Sequence, residues 1–209
     1  NITYVIISKD DKNYSSKILT AITTAKNENR PVVILMRKGV FEKYGATIPK
    51  VNTHQMLREE ALEIIMNHLD KNAIIVSTTG KTSREIYEIR ENRGQSHQQD
   101  FLTVGSMGHC SSIALGIALA KPDRQVVCID GDGALLMHLG SLTTIATTKP
   151  KNFRHILMNN EVHESVGGQA TAAKEVDLSA IVNALGTSKM FKVETSDELE
   201  LNINDFIKS

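Results

Sequence analysis

The sequence lacks an excess of either charge: its 24 basic and 24 acidic residues cancel. No basic run or aromatic-basic stripe gathers them, so the electrostatic footprint of a nucleic-acid binder is missing. It also lacks any run of about 18 apolar residues, and the opening Asn1-Ile2-Thr3-Tyr4-Val5-Ile6-Ile7-Ser8 has neither the basic start nor the apolar length of a signal peptide. No membrane partner is expected. Cysteine is scarce. Cys110 and Cys128 are far apart in sequence, form no CxxC or zinc spacing and pair with no nearby histidines, which fits a reducing, cytoplasmic setting. An initiator methionine is missing too, and the β-rich opening reads as a piece that begins inside a larger polypeptide. What is present is ordinary for a globular chain: 209 residues, 41% hydrophobic and 23% charged, enough for one main domain with a smaller appended piece.

Short β-type runs alternate with helical patterns along nearly the whole length. This predicts the α/β class, a doubly wound, mainly parallel sheet with helices on both faces. Residues 1–38 give a strand at 3–7, a helix carrying Ile18, Leu19, Ile22 and Ala25, and a strand at 32–36 entered through Pro31; they read as the tail of a preceding domain. From 39 to 55 the periodicity vanishes and Gly39, Gly45, Pro49 and Asn52 punctuate a linker. The main domain, 56–209, opens with a helix whose Leu57, Ala61, Ile64, Ile65 and Leu69 share one face. Strands are expected at 73–76, 102–104, 125–129, 154–158 and 189–193, and helices near 83–92, 107–120, 135–147, 177–185 and 197–208. Ligands of such sheets bind at the carboxyl ends of the strands.

Three strand-ending loops stand out there. Cys128-Ile129-Asp130-Gly131-Asp132-Gly133 ends one strand, and Met158-Asn159-Asn160 ends the next. The 25 residues 134–158 between them fit one crossover helix and a second parallel strand, so Asp132 and Asn160 would share a sheet edge. Mg²⁺ prefers about six oxygens and keeps phosphate ligands, so one carboxylate and one amide are a sensible protein share. The glycines Gly131 and Gly133 would let the backbone approach a diphosphate. Taken singly, each motif is also common turn punctuation. A dinucleotide fingerprint fails, since Leu136 stands where its third glycine belongs. Gly105-Ser106-Met107-Gly108 follows another strand, as does Ser77-Thr78-Thr79-Gly80-Lys81-Thr82-Ser83, whose amides and hydroxyls suit an anion at a helix start or a simple cap at Thr82 or Ser83.

The pairing of Gly-Asp-Gly with Asn-Asn across that gap resembles the signature of thiamine diphosphate enzymes, over about residues 56–209. The resemblance implies the thiamine diphosphate-binding fold, with Mg²⁺ held by Asp132, Asn160 and the main-chain carbonyl of Val162. It implies cofactor contacts from Gly80, Lys81, Thr82, Gly105, Ser106, Met107, Gly131, Gly133 and Ala134. Gly105 would accept the aminopyrimidine amino group, and Met107 would prop the cofactor's bend, although a lone methionine is more often core packing.

The run Asn159-Asn160-Glu161-Val162-His163-Glu164-Ser165-Val166-Gly167-Gly168-Gln169, with the segments from Ser106 and Asp130, is similar to the branch that decarboxylates phosphonopyruvate, with sulfopyruvate decarboxylases its near relatives. It implies a carbon–carbon lyase acting on a 2-keto acid with an anionic tail. It also implies a pyrimidine-binding domain on the same or a neighbouring chain, which would bring the activating glutamate, and a homo-oligomer. His163 and His109 are candidates for contact with the anionic tail or for proton transfer, each with the alternative of tying down a loop. Ser165 and the amides of Gly167 and Gly168 are further donors, and His138 reads as packing or interface. Glu161 departs from the glycine expected there, and a glutamate tolerates positive φ poorly. The reading from another class is a non-catalytic cofactor-binding or assembly module.

Overall fold

The computed structural model describes residues 2–42, 55–186 and 189–209. The chain divides into two compact units, Asn1–Pro49 and Lys50–Ser209; the predicted linker falls largely on residues 43–54, outside the described residues.

In the first unit β1 (Thr3–Ile7) and β2 (Val32–Met36) pair in parallel across α1 (Tyr14–Asn27). Strand alternation splits this ribbon into two faces. Tyr4 lies opposite Val33 and Ile6 opposite Leu35, and all four are exposed. Of the α1 positions, Ala21 is buried, whereas Leu19 and Ile22 are exposed.

The second unit runs α2 (Arg58–His68), β3 (Ile74–Ser77), α3 (Lys81–Asn92), β4 (Asp100–Leu102), α4 (Cys110–Ala120), β5 (Val126–Gly131), α5 (Asp132–Met137), α6 (Ser141–Thr148), β6 (Phe153–Met158), the short pair β7 (Val162–His163) and β8 (Gln169–Ala170), α7 (Leu178–Ala184) and α8 (Ser196–Lys208). Its main sheet has the order β4-β3-β5-β6 with every neighbouring pair parallel. Both faces of the central strands are covered, as an all-parallel sheet requires. Ile75, Val127 and Ile129 point into a core with Leu62 and Ile65 of α2, Ile86 of α3 and Ile203 of α8. Their neighbours Val76, Val126 and Cys128 point the other way, against Cys110, Ala114 and Ala118 of α4. The doubly wound expectation holds. At the sheet edge, Arg90 of α3 donates from Nε and Nη2 to the two oxygens of Asp100 at 3.1 and 3.0 Å, which ties β4 down.

Three expectations are corrected. No strand forms over 189–193: Val193 packs on the core and Phe191 meets Phe206 edge-on at 6.0 Å, so this apolar stretch is satisfied by α8 without a ladder partner. The helix expected at 135–147 is broken at 138–140 into α5 and α6. The strand placed at 102–104 lies at Asp100–Leu102, and Val104 beyond it is 98% exposed.

Ile75 sits in the centre of the sheet with no exposure. Ile75→Ala is expected to cost about 2–5 kcal/mol, read as a lower urea midpoint at unchanged slope; a loss under about 0.5 kcal/mol, typical of surface sites, would contradict its central place.

Candidate cofactor site

The strand order sets where a ligand fits. β3 is the first strand of the main sheet, β4 joins it on one side and β5 and β6 on the other. The loops leaving β3 and β5 therefore diverge, and the crevice between them is a topological switch point. Register aligns the ends: Ser77 lies opposite Ile129, and Gly131 opposite Met158. The Thr78 amide donates to the Ile129 carbonyl at 2.9 Å, and a Cβ on Gly131 would lie 3.7 Å from the Thr78 methyl. The loops after β3, β5 and β6 thus open on one sheet edge.

Asp132 is the first residue of α5 and only 3% exposed. A buried carboxylate needs compensation, and the Thr171 hydroxyl donates to its Oδ2. Thr171 also ties down the following loop, because its amide donates to the Glu161 carbonyl at 2.8 Å. At Asn160, Oδ1 accepts from the Val162 amide at 3.3 Å, closing a tight turn beside Asp132's loop. Glu161, in that turn, has φ +59°. The glutamate therefore takes the left-handed conformation that glycine adopts freely, held by the Thr171 bond and by its own amide on Asn159 Oδ1 at 3.3 Å. Ser106, in the loop before α4, is likewise left-handed at +53°. Two of the four non-glycine residues with positive φ among the described residues thus lie in cofactor-candidate loops, where backbone strain tends to collect.

Gly133 marks the meeting point. A Cβ there would lie 2.5 Å from Cε1 and 2.8 Å from Nδ1 of His163, and 3.3 Å from the Met107 methyl. Three segments remote in sequence are thereby in contact, and only glycine leaves room for them. His163 is brought into the site, as is Met107, which is half-buried. Gly133 and Ala134 are buried in α5, whereas Gly105 and Ser106 are exposed.

In the loop after β3, Gly80 precedes α3 with φ +104°, and the Ser165 hydroxyl lies 3.5 Å from where its Cβ would be. Thr82 is buried in the first turn of α3. Ser83 caps nothing; its hydroxyl donates to the Thr78 carbonyl at 2.7 Å and meets Ser77 Oγ at 2.6 Å. Lys81 pairs with Glu164, and Arg58 Nη1 donates to the same carboxylate at 2.8 Å. Lys81, and then Arg58, hold the Glu164 carboxyl below the usual carboxylate range.

His109 is exposed and tilts onto His138 at 4.3 Å between ring centroids, with Nδ1 3.2 Å from the Ser106 carbonyl. His138 in turn fits against Gly108, where a Cβ would meet its Nδ1 at 2.3 Å. The two cysteines, distant in sequence, are neighbours in space: their sulfurs are 3.4 Å apart and both are buried. Burial, and then the contact with Cys110, pushes the Cys128 thiol up. Asp130 is wholly buried, accepts from the Gly131 amide at 2.9 Å and faces His155 Nε2 at 3.6 Å.

Thr171, Glu164 and Arg58 escaped the sequence reading. A lone threonine carries no motif, and Arg58 lies on a helix with no spacing relation to the loops. Among the described residues no helix is long and apolar enough to cross a membrane.

Residues 78–209 match the model of the thiamine pyrophosphate enzyme C-terminal TPP binding domain. The chain is 38% identical over 184 residues to the phosphonopyruvate decarboxylase of Streptomyces viridochromogenes, covering 81% of this chain and 45% of that protein. It is 40% identical over 129 residues to the sulfopyruvate decarboxylase subunit beta of Methanothermobacter thermautotrophicus, covering 62% and 66%. The chain thus spans less than half the length of the phosphonopyruvate decarboxylase it matches. Among solved structures, the thiamine diphosphate-dependent 4-hydroxybenzoylformate decarboxylase of Rhodococcus jostii shares the fold, with a TM-score of 0.60 at 18% identity over 98% of this chain and 41% of that one. With its Gly-Asp-Gly loop, its Asn-Asn loop and the doubly wound sheet that joins them, the chain belongs to the thiamine pyrophosphate enzymes, its residues 78–209 matching their C-terminal TPP binding domain.

Proposed function

We propose that this chain supplies the diphosphate- and Mg²⁺-binding part of a decarboxylase that converts phosphonopyruvate to phosphonoacetaldehyde and CO₂. The observation that carries the reading is the meeting of His163, Met107 and Gly133 beside the buried Asp132, at the switch point of the sheet. The residues suit the group. Thr171 occupies one oxygen of Asp132 and leaves the other for a cation. Asn160 and the Val162 carbonyl are two further oxygens in the neighbouring turn, the hard donor set that Mg²⁺ takes. When bound, thiamine diphosphate supplies the carbon nucleophile and the electron sink that decarboxylation of a 2-keto acid needs.

The chain's own residues hold and orient. Gly131 and Gly133 admit the diphosphate to the backbone, Gly80, Lys81 and Thr82 face its anionic end, and Met107 gives the cofactor an apolar prop. His163 can meet the anionic tail of the substrate or hold a proton at an imidazole nitrogen, because its ring already lies over Gly133. The activating glutamate belongs to a pyrimidine-binding domain on the same or a neighbouring chain. Likeness to a sulfopyruvate decarboxylase beta subunit, matched over 66% of its length, supports a second reading in which the partner is a separate subunit and the tail a sulfonate.

Calorimetry with thiamine diphosphate and Mg²⁺ is expected to show binding that Asp132→Ala weakens by about 10-fold or more, the loss of a charged ligand; equal binding by both proteins would refute the metal assignment. Gly133→Ala forces His163 and the Met107 methyl apart, so cofactor affinity should fall while far-ultraviolet circular dichroism stays unchanged. An alanine variant with full affinity would show that the three segments do not share one site. Combined with the pyrimidine-binding partner, the chain should release CO₂ from phosphonopyruvate faster than from sulfopyruvate or pyruvate. A preference for sulfopyruvate would transfer the assignment to the second reading.

A further inference from the structure

We infer that Glu164 is a positioning residue that clasps the loop 163–168 onto the site, an inference that rests on the cofactor site proposed above. Three consecutive residues of this loop face three different parts of the second unit. His163 lies over Gly133 at the start of α5, Ser165 lies against Gly80, and Glu164 between them reaches Lys81 of α3 and Arg58 of α2. Arg58 is itself fixed: its Nε and Nη2 donate to both oxygens of Glu85 at 2.7 and 2.6 Å. A bidentate pair of this kind orients the guanidinium as well as holding it. The remaining Nη1 is left to meet Glu164 at 2.8 Å.

The loop needs such a clasp because its own backbone supplies little restraint. Gly167 and Gly168 carry φ of +124° and +78°, conformations that cost a glycine almost nothing to leave. The bond from the Gly168 amide to the His163 carbonyl at 3.0 Å closes the loop on itself without attaching it to the helices beneath. Attachment on that side comes from Glu164, whose carboxylate touches two cations on separate elements.

The charges also fit the role. Arg58, Lys81, Glu85 and Glu164 form a chain of alternating sign that sums to zero. The carboxylate beside an anion-binding loop is thus neutralised, and Lys81 is held at that loop's edge. An exposed ion pair is normally weak. Here Lys81 and Glu164 are partly exposed, at 42% and 40%, but the guanidinium is four-fifths buried, with a side-chain exposure of 18%, and its orientation is set by Glu85.

The test compares Glu164→Gln and Arg58→Gln with the unaltered chain by hydrogen exchange, and then in the CO₂-releasing enzyme formed with the pyrimidine-binding partner. The Gly168 amide should exchange about tenfold faster in both variants while the amides of β5 keep their protection, the signature of local opening. Turnover should fall about tenfold, with thiamine diphosphate affinity within about threefold of the original, because a displaced His163 lowers kcat more than it lowers binding. Glu164→Asp, which keeps the charge, should recover part of the turnover. Unchanged exchange at Gly168 would overturn the clasp, and so would faster exchange throughout β5, which would mean general destabilisation. If the unaltered enzyme released no CO₂ from any of the keto acids, the proposed reaction would fall, and the exchange at Gly168 would still decide the clasp.

Discussion

Asp132 opens α5 directly after the central strand β5 with 3% exposure, a position where an ionised carboxylate would stand almost without water. Such a charge is tolerable only when donors or a cation are brought to it. One observed hydrogen bond meets part of that demand. Thr171 arrives from the far side of the β7–β8 hairpin to donate one hydrogen bond. In the proposed site, Asn160 and Val162 stand on the turn that follows β6, the strand paired with β5 up to Gly131. The left-handed Glu161 is the bend that lets this turn come back, and its carbonyl takes the Thr171 amide. The absence of a side chain at Gly133, the residue after Asp132, makes room for His163 and Met107.

How much of this was legible depends on whether a feature leaves a periodic or spaced trace. The doubly wound sheet was legible because buried parallel strands and amphipathic helices alternate over most of the chain, and β3, β5 and β6 lie within two residues of their expected places. The Asp132 and Asn160 loops were legible because one crossover unit has a narrow range of lengths. The segment 189–193 reads as a strand through Phe191 and Val193, yet burial against α8 and the core satisfies those side chains without a ladder. The break between α5 and α6 has no proline to announce it; His138 at that break sits against Gly108, a tertiary contact invisible to local pattern. Thr171 and Arg58 were hidden for the same reason, since their partners lie 39 and 106 residues away along the chain.

The cysteines show the opposite case. Their sequence spacing suggested nothing, and the fold places the two sulfurs side by side beneath the site. Their surroundings are those of packing: Cys110 donates to the Val76 carbonyl at 3.3 Å, and burial pushes the Cys128 thiol up.

The proposed site holds one divalent cation between Asp132, Asn160 and the Val162 carbonyl, together with thiamine diphosphate. Crystals grown with thiamine diphosphate and Mn²⁺ in place of Mg²⁺ test it through the anomalous signal of manganese. A single strong peak within coordination distance of the Asp132 carboxylate and the Asn160 amide oxygen is expected. A peak at Cys110, Cys128 and Asp130, or a bound cofactor with no manganese beside Asp132, would contradict it.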